Sequence, residues 1–128
     1  MGFPQRVAIL TNVIAENGGD STPHGNGAHG LLGWRGGRQK GLGNNLPKQI
    51  HKTMEDVYNP KNYVEWTHGG KGSGANSAKQ LREIFNNSSN VLKATNSFTR
   101  GYVRPSQKDV EKRNLLAKLI QSCMKYFK

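Results

Sequence analysis

Ten of the sixteen glycines in the chain fall between residues 18 and 43, and that crowding constrains the fold more than any other feature. Glycine gives up more backbone freedom on ordering than any other residue, so a segment this rich in it sustains neither a long helix nor a long strand. Its one apolar piece is the run GLLGW, residues 30–34. The core must come from the rest of the chain, where the apolar residues recur at helical spacing. The reading is a mainly α (α+β) architecture over residues 1–128, taken as one domain because the chain is too short to expect two. A small Gly-rich lobe, irregular or a β-hairpin, should lie beside the end of the first helix.

From Pro4 to Ala15, Val7, Leu10 and Ile14 recur at helical spacing with Ala8, Val13 and Ala15 beside them, and Pro4 suits a first turn. Glu16 sits in the last turn, and Asn17, Gly18 and Gly19 tolerate the positive φ that stops a helix. Asn45 opens a second helix, LPKQIHKTMEDVY, with Ile50, Met54 and Val57 on one face, and Pro60 breaks the pattern that follows. THGGKGSGANS, residues 67–77, is a loop by composition. SAKQLREIFNN gives a third helix with Ala78, Leu81, Ile84 and Phe85 inward; NVLKATNSF gives a fourth, and RGYVRPS turns a corner. Ser106 and Asp109 have capping-box spacing, and Val110, Leu115, Leu116, Leu119, Ile120, Cys123 and Phe127 form the stripe of a long final helix.

Nineteen Lys and Arg against eight Asp and Glu leave a net charge of +11, which implies attraction to a polyanion, either nucleic acid or an anionic cell envelope. The basic residues are scattered, without a basic-aromatic module or zinc-finger spacing, which disfavours nucleic acid. A lone Cys123 excludes an intramolecular disulfide and a cysteine-based zinc site, and the expectation is that it lies on the buried side of the final helix. No stretch approaches the roughly 20 apolar residues that span a bilayer, and the N-terminal residues do not read as an export signal. A soluble protein without membrane insertion is expected.

Glu16 is placed oddly for a stabilising residue. The C-terminal end of a helix is the wrong end of its dipole for an acid, a penalty of up to about 1 kcal/mol, so a carboxylate there suggests a role in chemistry. Glycosidic oxygens leave poorly unless protonated, and glycosidases keep a carboxylic acid neutral beside them by packing it against apolar and aromatic surface. Glu16 follows an apolar helix and precedes a lobe that contains Trp34. A helix-terminal acid in solvent is the alternative.

NVIAENGG, followed at short distance by GAHGLLGWRGGRQ, resembles the active-site region of the lysozyme-like superfamily, and most closely the phage tail lysozyme family. SAKQLREIF and FTRGYVRP before a terminal helix are similar to that family's closing pattern, so the resemblance covers almost the whole chain. Two positions depart from it: Gly33 stands where a glutamine is usual, and Gly37 where an aspartate often follows the tryptophan. The resemblance implies a lysozyme-like fold and an enzyme, a muramidase or lytic transglycosylase, that cuts the β-1,4 bond between N-acetylmuramic acid and N-acetylglucosamine in peptidoglycan, with Glu16 as general acid. It implies action at the bacterial cell wall, with delivery by a virion, a phage tail or mobile-element partner, or lysis, as a monomer and without a cofactor.

The residues around Glu16 supply the remaining candidates. Asp20 is the candidate second catalytic carboxylate, with a turn-stabilising role as its alternative. His29, Gly30, Leu31, Trp34, Arg35 and Tyr102 are the candidate substrate-binding residues: His29 through hydrogen bonds, Trp34 and Tyr102 by packing on sugar faces unless they belong to the core, Arg35 by meeting lactyl or peptide carboxylates. Arg38 and Arg104 are further candidates for the same carboxylates, and Trp66 is assigned to the core or the loop base. His24, His29 and His51 lack recognised metal-ligand spacing, so no metal site is expected. Two rival readings stay open, a wall-binding module without activity and a basic nucleic-acid-binding protein.

Overall fold

The structure, a computed structural model, describes residues 1–18 and 30–126. The described residues form five α-helices, α1 (Phe3–Asn17), α2 (Leu46–Tyr58), α3 (Ala78–Asn87), α4 (Val91–Phe98) and α5 (Gln107–Tyr126). Short 3-10 helices occupy Gly36–Gln39 and Pro60–Glu65, and a π turn at Thr99–Val103 follows α4. The short α4 is central, packed against α1, α3 and α5. Residues 30–33 are turns followed by a single bridged residue, Trp34, so the described part of the lobe is irregular. No helix among the described residues is long and apolar enough to cross a membrane.

Local chemistry sets the helix ends. Pro4 lies in the first turn of α1, and Gly18, at φ 61°, closes it by donating its N–H to the Ile14 carbonyl at 3.0 Å. Asn45 caps α2 by accepting from the Lys48 N–H at 3.0 Å, Ser77 caps α3 and Asn90 caps α4. Asp109 N–H donates to the carbonyl of Ser106 at 3.0 Å, so the link between these two residues runs through the backbone. Trp66, Phe85, Phe98 and Tyr102 pack together with ring centroids 5.1 to 5.8 Å apart, and pairs of this kind contribute about 0.5–1.5 kcal/mol each beyond their area burial.

Three inward faces differ from the hydropathy reading. In α1 the buried residues are Gln5, Val7, Ala8, Thr11 and Asn12, while Leu10 and Ile14 are exposed. Asn12 is drawn in by its partners: its Nδ2 donates to the Ala8 carbonyl and to Thr99 Oγ1, each at 2.9 Å. Residues two positions away lie about 200° around the helix, so an inward Asn12 turns Leu10 and Ile14 outward. In α2 the buried face is Gln49, Thr53, Asp56 and Val57, and Ile50 is exposed. Gln49 replaces it because its Oε1 accepts the Leu31 N–H at 2.9 Å and its Nε2 donates to the Gly43 carbonyl at 2.9 Å. One amide thus satisfies backbone groups of a lobe whose described residues form no sheet to do so.

In α5 the buried residues are Val110, Arg113 and Ala117, with Ile120 and Met124 packed partly below them. Leu115, Leu119 and Cys123 lie on the solvent face, against the expected stripe and the expected burial of the cysteine. The inward register 110, 113, 117, 120, 124 admits a charged Arg113 because that residue finds two oxygen acceptors inside. Phe127 is outside the described residues.

Candidate active site

From the last turn of α1 Glu16 reaches a polar cleft of about 220 Å³ lined by Arg35, Arg104, Asp109 and Arg113, in place of the apolar and aromatic packing expected around it. Its Oε1 pairs with Arg113 Nη1 at 2.8 Å, the two side chains being 16% and 8% exposed. Arg113 Nη1 also donates to Asn12 Oδ1 at 2.9 Å, and Asn12 in turn holds Thr99. A chain of polar contacts therefore runs from the π turn through α1 to α5 and ends on the acid. Its other oxygen lies against Gly33: a Cβ built there would come within 3.0 Å of Glu16 Cδ and closer still to Oε2. Gly33 itself has a φ of 64°. The departure at Gly33 is thus the position where the lobe backbone approaches the carboxylate.

The other charged residues on the cleft are Arg35, Arg104 and Asp109. Arg104 is the one non-glycine residue with positive φ among the described residues, at 60°, a conformation that costs about 1–2 kcal/mol for an L-residue. It is held there by its N–H, which donates to the Thr99 carbonyl at 2.7 Å, and by its guanidinium, which donates to the Glu65 carbonyl. Desolvation, and after it the like charge of Arg38, holds the Arg104 guanidinium below the usual arginine range.

Of the residues expected at the site, the structure brings Glu16, Arg35 and Arg104 to one cleft, while Arg38 is outside its lining, bonded to the Tyr102 carbonyl and paired with Glu65. Asp20 and His29 lie outside the described residues, as does His24. Trp34 and Tyr102 do not present ring faces to a sugar. Trp34 is 1% exposed and donates from Nε1 to the Tyr102 hydroxyl at 3.0 Å; Tyr102 is fully buried and donates to Asp56 Oδ2 at 2.5 Å. Burial first, and then the charge of Asp56, holds the Tyr102 phenol well above the usual tyrosine value. These two aromatics pin the lobe to the helical body. Gly30 and Leu31 are also buried within it, Gly30 because a Cβ would meet Gln49 Oε1 at 2.7 Å, so neither presents a binding surface.

The hydropathy reading missed Asp109 and Arg113. Asp109 had a sufficient local explanation in its capping spacing. Arg113 carried a signal: it stands three residues after Val110 and four before Ala117, in the inward register of its helix, where a charge requires a buried partner.

No curated protein and no solved structure matches the chain. The model of the phage tail lysozyme family matches residues 4–124, nearly its full length. The chain whose α1 ends in an acid on this polar cleft belongs to the phage tail lysozyme family, a lysozyme-like family that acts on peptidoglycan.

Proposed function

We propose that the protein cleaves the β-1,4 bond between N-acetylmuramic acid and N-acetylglucosamine, with Glu16 as the general acid. The observation that supports this reading best is the placement of Glu16, an acid at a helix C-terminus, on a cleft with its two oxygens in different environments. Oε1 accepts from Arg113, while Oε2 faces the lobe. In the proposed reaction Oε2 carries the proton to the glycosidic oxygen as the C–O bond breaks, and Oε1 stays on Arg113. The charge left on Glu16 then has its guanidinium partner already in place, an interaction stronger in the transition state than before it. Arg113 is accordingly a positioning residue. Arg35 and Arg104 are proposed to meet carboxylates of the substrate from the cleft wall.

Asp109 lies on the same cleft as Glu16 and joins Asp20 as a candidate for the second carboxylate. A hydrolase requires such a group to activate water or to act as nucleophile. A transglycosylase forming a 1,6-anhydro product can work with Glu16 alone. The test is mass spectrometry of soluble fragments from purified peptidoglycan treated with the parent, Glu16→Gln, Asp20→Asn and Asp109→Asn. Reducing muropeptides from the parent and none from Glu16→Gln are expected, with loss in one aspartate variant identifying the second group. Anhydro ends with both aspartate variants active point to the transglycosylase. Fragments from Glu16→Gln at the parent rate overturn the assignment, and no fragments from any protein on several wall types lead to the wall-binding reading.

A further inference from the structure

A groove of about 520 Å³ lies between residues 37–42 of the lobe and the start of α2. It is within the range of small-ligand sites and shares no lining residue with the Glu16 cleft. Its floor includes Leu42 and Pro47; its charged lining is Arg38, Lys40, Lys48 and Lys52, joined by His51, without an Asp or Glu. Arg38 and Lys52 are tied at the inner end to Glu65 and Asp56. Lys40, Lys48 and His51 are exposed, and none of them takes part in a salt bridge among the described residues. Clustered cations around an apolar floor form a surface whose own fold supplies no counter-charge at the rim.

The groove and the Glu16 cleft are separate hollows lined by neighbouring positions of the lobe. Gly33 and Arg35 line the cleft and Gly37 begins the groove, so one short stretch of the lobe borders both. The partition is Arg38, which donates to the Tyr102 carbonyl at 2.8 Å just before Val103 and Arg104 enter the cleft lining.

We infer that this groove binds a short acidic peptide with small aliphatic side chains, of the kind carried by the lactyl group of muramic acid. Carboxylates meet Lys40 and Lys48 at the rim, and methyl groups lie on Leu42 and Pro47. The apolar floor is what favours a peptide over a phosphodiester polymer, which has charge to offer but no apolar surface to bury. The inference rests on the reading of Glu16 as the cutting residue, since a glycan held there sets its peptide beside the partition.

The experiment has two parts, so that the groove and the active-site reading fail separately. Amide shifts of the isotopically labelled Glu16→Gln protein are followed on titration with the peptide Ala-Glu-Lys-Ala and with the same peptide fully amidated on its carboxyl groups. Shifts at Lys40, Leu42, Lys48 and His51 with the free acid, and their loss with the amidated form, are expected whether or not the parent cuts glycan. In parallel, Lys40→Gln/Lys48→Gln raises KM for peptide-bearing glycan about three- to tenfold, with KM for peptide-stripped glycan at the parent value. Equal shifts with both peptides, or shifts produced by poly(glycerol phosphate) or single-stranded DNA and not by the peptide, overturn the inference. So does a rise in KM that is the same for both glycans.

Discussion

Replacing Gly33 by alanine separates the backbone demand of the lobe from its contact with the acid. At φ 64° an L-residue costs about 1–2 kcal/mol, which for a domain of this size lowers Tm by about 4–8 °C. Gly36, at φ 56°, pays the same backbone cost but has nothing within 4 Å of the position its Cβ would take, whereas the Gly33 Cβ meets the Glu16 carboxylate. That carboxylate ends a flexible side chain, so it relieves the overlap by turning away, at the expense of its ion pair with Arg113. Turning takes Oε1 off Arg113 and moves the proposed proton donor by the order of an ångström, a displacement that costs about 100-fold in rate. Thermal unfolding and fragment release are measured for Gly33→Ala and Gly36→Ala side by side. The expected outcome is a fall in Tm for both, the larger in Gly33→Ala because it also loses the Glu16–Arg113 pair, and a loss of turnover in Gly33→Ala alone. Equal activity in the two variants refutes the argument that Gly33 is needed for the placement of Glu16.

Arg113→Met leaves Glu16 and Asn12 Oδ1 without their shared donor and is expected to lower stability in urea by about 2–4 kcal/mol, with part of the loss recovered when Glu16→Gln is added. Unchanged stability contradicts the contact. Tyr102→Phe strands the Trp34 N–H and removes a donor from Asp56, a loss of about 1–3 kcal/mol at neutral pH. Because the folded phenol titrates above the unfolded one, the folded state keeps a proton that the unfolded chain releases from about pH 10 upward. The stabilisation is complete below that pH and is lost as pH rises through it, so the parent loses stability more steeply than Tyr102→Phe above pH 10, and parallel curves refute the buried phenol. Cys123, on the solvent face of α5, is expected to react with a thiol reagent in the native protein as fast as in urea; protection shows that this face is covered.

The helix ends were legible because their causes are local. Pro4, Gly18, Asn45 and Ser77 act within a few residues of themselves, and each does in the structure what its type and position suggest. The inward faces were less legible because polar residues decide them. Asn12 is buried by Thr99, 87 residues away, and by Arg113, 101 residues away, and no window of hydropathy contains either partner. Gln49 displaces Ile50 for the same reason, on behalf of two backbone groups in the lobe. At the site, Glu16 stood out because its position opposes the helix dipole. Trp34 and Tyr102 did not declare their role, since an aromatic beside a candidate acid serves a sugar or a core according to a partner 68 residues distant.

The contact between Asn12 and Arg113 also sets a schedule. Chains emerge at about 5–20 residues per second, so α1 waits about 5–20 s for the helix that carries its partner. During that interval Asn12 has no guanidinium to accept from and the Glu16 cleft lacks the wall that α5 provides. The acid-bearing helix precedes α5 by about ninety residues, yet the cleft is complete only with α5. Until α5 docks, the proposed general acid has neither its guanidinium partner nor that wall.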